Sequence, residues 1–210
     1  MLGSLLALAV AAAVPGSHPA ALAGLYDGNQ MEMAAGLELK TDGRFRYGLA
    51  YGALDEEAAG TWRAEGGHVV LTSDPVTPPR LRFLGQQSAP PGMLRIALDA
   101  PPGLTLQLFV AYVGFAHSET AREQLTDDGL LRALAAKDPP TSVRLSLPIF
   151  ELDSEPVAID PAKGYGLHFR FEPNDIGKVD FRATALPIDK GDLLLDRHER
   201  TIRFHRVKAP

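Results

Sequence analysis

Apolar and polar residues alternate along most of this chain. Leu37-Glu38-Leu39-Lys40 alternates, and after Thr41-Asp42-Gly43-Arg44 the run 45–51 puts Phe45, Tyr47, Leu49 and Tyr51 on one parity. A period of two marks a strand with one buried and one wet face. Asp42-Gly43 supplies the positive φ of a tight hairpin turn. Gly60-Thr61-Trp62-Arg63 follows an acidic stretch, Asp55-Glu56-Glu57, which reads as a loop. Gly66-Gly67 turns the chain again, and His68-Val69-Val70-Leu71-Thr72 is the return strand. Short strands joined by such turns predict a β-meander.

The same theme recurs further on. Leu94, Ile96 and Leu98 share a face, as do Leu104, Leu106, Leu108 and Val110. The runs 142–147 and 167–172 alternate strictly, and 180–186 and 201–206 follow as strands. Asp196-Arg197-His198-Glu199-Arg200 is a polar loop between Leu193-Leu194-Leu195 and the last of these. Many short alternating strands favour a β-sandwich. In 118–137, Leu130, Leu131 and Leu134 suit a helix face, whereas Asp127-Asp128-Gly129 suits a turn before a strand; turn plus strand is the expectation. Pro75, Pro78 and Pro79 end the first run of strands, and Ser88-Ala89-Pro90-Pro91-Gly92 reads as a linker. The expected organisation is a β-meander domain over 24–87, a linker over 88–92 and a β-sandwich domain over 93–210. The fold class is mostly β.

The amino-terminal residues change the picture of where the protein works. The first 23 residues carry no Lys, Arg, Asp or Glu. The apolar run 5–14 is shorter than the roughly 20 residues that a bilayer span takes. Pro15 and Gly16 break it, and Ala21-Leu22-Ala23 offers the small-x-small pattern that signal peptidase cuts. Residues 1–23 are expected to be a secretory signal peptide, cleaved near Ala23 and Gly24, although the n-region has no basic residue. The chain has no Cys, which predicts no disulfide and no lipid anchor at the cleavage site. The expected compartment is the periplasm or the cell exterior. The formal charge of -5, with no basic block, argues against nucleic acid, which needs a basic stripe to neutralise phosphates.

Gly24-Leu25-Tyr26, Leu37-x-Leu39-x-x-Asp42-Gly43-x-Phe45, Gly60-x-Trp62 and Val69-x-Leu71 resemble the lipocalin-like half-barrel domains of bacterial envelope proteins, in particular the amino-terminal domain of NlpE-type copper-resistance lipoproteins. The resemblance covers about 50 residues of common meander elements and implies fold more than function. That family's lipid-anchoring Cys and Cys-x-x-Cys pair are missing here, so anchoring and redox sensing do not carry over. The second domain resembles a transthyretin-like or immunoglobulin-like sandwich through Thr126-Asp127-Asp128-Gly129 followed by the stretch 130–147.

Familiar catalytic motifs are absent. There is no Cys nucleophile, no Gly-x-Ser-x-Gly elbow and no Gly-rich phosphate loop. His198-Glu199 lacks the second His at position 202, where Ile stands, so it is not a zinc-protease motif. His168 and His205 lie on the wet parity of their strands beside Arg170 and Arg203, as surface residues or as a cross-strand metal pair. Asn174-Asp175-Ile176-Gly177 with Asp180 offers oxygen ligands to Ca²⁺, but such residues are also ordinary turn formers. Met31-x-Met33 can bind Cu(I), because soft thioethers select it, with His68 as a further ligand; Met is equally a core gap-filler. Trp62, with Tyr26, Phe45, Tyr47 and Tyr51, is the main aromatic concentration, either as core or, for Tyr26, Tyr47, Tyr51 and Trp62, as the lining of a small apolar pocket at a barrel mouth. The expected function is a binding or interaction module without catalysis or cofactor, taking a small apolar ligand or an envelope protein. Copper handling is the alternative.

Overall fold

The computed structural model describes residues 20–208. They are mostly strand and include no α-helix. Two compact units emerge: one gathers the described residues up to 49 with 57–74 and 180–208, the other 50–56 and 75–179. The first five strands are β1 (Gly24–Asp27), β2 (Met33–Leu39), β3 (Arg44–Tyr51), β4 (Leu54–Glu65) and β5 (His68–Ser73). Then come β6 (Arg80–Gln87), β7 (Met93–Asp99), β8 (Val110–Phe115), β9 (Ala121–Gln124), β10 (Leu130–Ala133), β11 (Pro140–Leu147), β12 (Leu152–Asp153), β13 (Val157–Ala158) and β14 (Gly166–Glu172). Last are β15 (Thr184–Asp189), β16 (Asp192–Arg197) and β17 (Arg200–Arg206).

Eight strands close a barrel in the order β1-β17-β16-β15-β5-β4-β3-β2. Chain neighbours are barrel neighbours everywhere except between β5 and β15, where the second unit is inserted, and at the β1–β17 closure. This is an up-and-down barrel, which leaves no sheet edge exposed. Closure runs through Tyr26 opposite Arg206, and the β5–β15 seam through Leu71 opposite Thr184 to His68 opposite Pro187. The expected half-barrel ending at residue 87 is therefore completed by 184–206, which alternation had assigned to the sandwich. Alternation reports that one face is buried; it does not say against which core.

The chain leaves and re-enters the barrel at adjacent points. The Ser73 amide donates to the Phe181 carbonyl at 2.8 Å, and the Phe181 amide donates to Ser73 Oγ at 2.9 Å. Neighbouring ends are what an insertion needs, because no closure strain is imposed on the host. Phe181 is buried and packs edge-on against Phe45 and Tyr47, with centroids 5.9 and 5.2 Å apart.

The second unit is a sandwich. One sheet has the order β10-β7-β14-β6; the other has β12-β11-β8-β9, with β13 on β11. Leu94, Ile96, Leu167 and Phe169 from the first sheet share a core with Ala111, Val113, Val143 and Leu145 from the second. β14 is antiparallel to β6 and parallel to β7. The Pro-rich stretch 88–92 joins β6 to β7 inside this sandwich, so it is not an interdomain linker. Residues 104–108 do not extend into a strand: Thr105 caps a 3-10 turn over Leu106–Leu108, and Leu108 is exposed. The stretch 118–137 is strand, turn and strand, with Thr126 and Gly129 bridging across the turn. Asp55, Glu56 and Glu57 open β4 rather than a loop, because Gly52, at φ +60, already makes the turn.

Residues 1–19, the body of the expected signal peptide, lie outside the described residues. Arg206 donates to the carbonyls of Ala21 and Ala23, and the Tyr26 hydroxyl donates to that of Leu22 at 2.7 Å. Cleavage between Ala23 and Gly24 would remove all three acceptors.

Candidate functional site

The expected aromatic pocket is built from the barrel's inward positions. Strand parity turns Tyr26, Phe45, Tyr47 and Trp62 inward, among Leu37, Leu71, Leu193 and Phe204, all buried. Trp62 is 1 % exposed, and its indole N–H donates to the Lys40 carbonyl at 2.8 Å. That bond satisfies the one polar atom that burial of Trp brings with it. Burial pushes the Tyr26 phenol up, against the opposing pull of the Arg206 charge. A Cβ on Gly60 would lie 2.0 Å from the Thr72 carbonyl oxygen and 2.7 Å from the Phe45 ring, so backbone and ring meet there directly. Three of the four expected pocket residues are thus core. The fourth, Tyr51, is half-buried and belongs to the second unit.

The expected copper ligands do not share one setting. Gln30 and Met33 pair across a two-residue turn whose second position, Glu32, has φ +64. Met31 at the turn tip is 85 % exposed, whereas Met33 is buried in the barrel. His68 is half-buried, with Nδ1 2.9 Å from the Gly66 carbonyl oxygen. Asp175, offered for Ca²⁺, accepts from the Thr77 amide and pairs with Lys178, while Asp180 pairs with Arg182. The Lys178 ammonium, then the Thr77 amide, hold the Asp175 carboxyl below the usual range. His168 lies in the second unit and His205 in the first, so they are not cross-strand neighbours. Among the described residues no group of three or more His, Cys, Asp or Glu is gathered to hold a metal ion.

The polar chemistry of the sandwich gathers on the outer face of the sheet β10-β7-β14-β6. Leu94, Ile96, Leu98, Leu167, Phe169 and Phe171 point into the core, which leaves Arg95, Asp99, His168, Arg170 and Glu172 outward. On β6, Leu81 is buried, and Arg80 and Arg82 face out. In register, Arg170 stands between Arg82 on one side and Asp99 on the other. Asp99 takes His168 Nε2 on one oxygen at 2.8 Å and Arg170 on the other at 3.2 Å. The His168 imidazole, then Arg170, hold the Asp99 carboxyl below the usual range. Glu172 accepts from Arg82 at 2.8 Å. Arg80 and Arg95 have no carboxylate partner among the described residues. Sequence reasoning placed His168 beside Arg170 on a wet face but missed the assembly. The signal was present as outward Arg at 80, 82, 95 and 170; which strands lie side by side was not. No family model, no curated protein and no solved structure matches this chain.

Proposed function

We propose that this protein works without catalysis, as an exported module that recognises a partner through an open surface rather than an interior pocket. The observation that carries the reading is the contrast between its two candidate sites. The barrel interior is filled by Trp62 and its neighbours, while the sandwich holds two ion-paired groups, Asp99 with His168 and Arg170, and Arg82 with Glu172, on an accessible sheet face. Directly opposite like charges destabilise a sheet, so the Arg82–Arg170 pairing is not what folding alone favours. Exposed ion pairs contribute little stability, and such a face has more to offer in recognition. The leader pattern at 1–23 supports export.

Site-specific photocrosslinking in the producing cell tests this. A photoreactive residue in place of Ala97, on the sheet face, should give a discrete adduct, and one in place of Arg46, on the barrel exterior, should not. Equal labelling from both positions, or none from Ala97, would count against the reading. Turnover of a substrate that is lost in His168→Ala would replace it with an enzymatic one.

A further inference from the structure

Resting on that reading, we propose that the outer face of the sheet β10-β7-β14-β6 is a docking surface for an extended acidic peptide segment of a partner protein. The unit that carries this sheet has more carboxylates than Lys and Arg, yet the face reverses the balance, with Arg80, Arg82, Arg95 and Arg170 against Asp99 and Glu172. Charge is therefore segregated within the unit, and a face with a cationic excess attracts its complement.

The face already shows which chemistry it accepts. Two guanidiniums hold carboxylates of the same chain: Arg170 holds Asp99, and Arg82 holds Glu172. Each of these contacts uses few of the five N–H donors of an Arg, and the side chains stay half-exposed, 50 % for Arg170 and 58 % for Arg82. Planar forks of this kind match carboxylates. Arg80 and Arg95 are still without a carboxylate among the described residues.

Register gives the length of the occupant. Arg80 stands opposite Glu172 on one side of β14, and Arg95 stands opposite Gly166 on the other. Two strand spacings across and six residues along put the two free Arg roughly 22 Å apart. An extended chain spans that distance in about seven residues. The middle of the path is low: His168 is flanked by Gly85 and Ala97, and a Cβ on Gly85 would meet nothing within 4 Å. At the Arg95 end, Leu131 lies opposite in register and is 59 % exposed, a place for one apolar residue beside the terminal carboxylate. A single small anion reaches one of the two free Arg; a seven-residue acidic segment reaches both.

Fluorescence anisotropy with the whole chain tests the proposal. The probe is a fluorescein-labelled heptapeptide of alternating Glu and Ser with Glu at both ends; a Lys/Ser heptapeptide and a Glu/Ser tripeptide are the controls. The Glu/Ser heptapeptide should bind, weaken at least tenfold from 50 to 500 mM NaCl, and outcompete the tripeptide at least tenfold. The double variant Arg80→Glu with Arg95→Glu should bind at least tenfold more weakly, while Arg122→Glu, on the other sheet, should leave binding unchanged. Circular dichroism confirms that each variant is folded. Equal binding by the double variant, equal affinity for the tripeptide, or no binding of the heptapeptide overturns the proposal. Tighter binding to vesicles of anionic phospholipid than to the heptapeptide overturns it in favour of a membrane surface. In each of these cases a crosslink from position 97 still stands or falls separately, so the broader reading is judged by its own result.

Discussion

At the scale of single residues, two side chains report on the barrel. Trp62 fills the interior and spends its N–H on Lys40. Removing it leaves a cavity in the barrel, while the Lys40 carbonyl keeps the Gly43 amide, so Trp62→Ala should cost about 3–5 kcal/mol in urea unfolding. The wild-type emission should be blue-shifted and resist iodide; a red-shifted, freely quenched Trp would contradict the core placement. Arg44 grips Asp74 with both arms, at 2.9 and 2.5 Å, and that hydrogen bonding holds the Asp74 carboxyl below the usual range. The folded protein then binds a proton at Asp74 less readily than the unfolded chain. The stability this contributes is complete above the ordinary carboxylate pKa, about 4, and is lost as pH falls through the lower folded value. In Arg44→Ala the Asp74 carboxyl resonance should titrate at higher pH than in wild type; an unmoved titration would remove the pair from any account of acid stability.

At the scale of elements, the last two hairpins close the barrel with tight two-residue turns. Lys190-Gly191 turns β15 into β16 with φ +53 and +95, and His198-Glu199 turns β16 into β17 with φ +51 and +57. Both central residues lie in the left-handed region, the geometry whose twist matches paired strands and which favours Asn-Gly. Glu199 occupies the second position without that freedom. Glu199→Gly should therefore raise stability by about 1 kcal/mol, seen as a higher urea midpoint with an unchanged slope. The converse change at Gly191 should lower it. Strand existence and parity were legible here: Phe45, Tyr47 and Leu49 face one core as alternation predicts, and so do Val143, Leu145 and Leu147. Leu104 to Leu108 misled, because leucines at alternate positions satisfy a period of two even where Thr105 caps a 3-10 turn instead.

At the scale of the whole molecule, one compact unit is threaded into another. The Ser73–Phe181 pair of hydrogen bonds keeps the two ends of the insertion together, so the barrel does not need the sandwich to close its seam. A chain in which residues 75–179 are replaced by a short Gly-Ser linker should keep a strand-rich far-ultraviolet spectrum and a buried Trp62. Exposed Trp emission from that chain would show that the inserted unit is needed for the barrel to fold.

The sequence by itself determined the class of structure. Period-two alternation, Asp-Gly and Gly-Gly turns and the lack of sustained helical periodicity left mostly β as the reading, because side-chain alternation is a local consequence of the extended backbone. It also marked Tyr26, Phe45, Tyr47 and Trp62 of the barrel, since their parity is local too, but not Phe181 and Phe204, which lay in the stretch assigned to the second domain. Only the tertiary structure decided which core each strand serves, that 184–206 closes a barrel begun at residue 24, and that Arg80, Arg82, Arg95 and Arg170 share one face. Those outcomes depend on pairings between strands far apart in the chain, and an alternating strand fits either face-to-face partner equally well until register and neighbour are known.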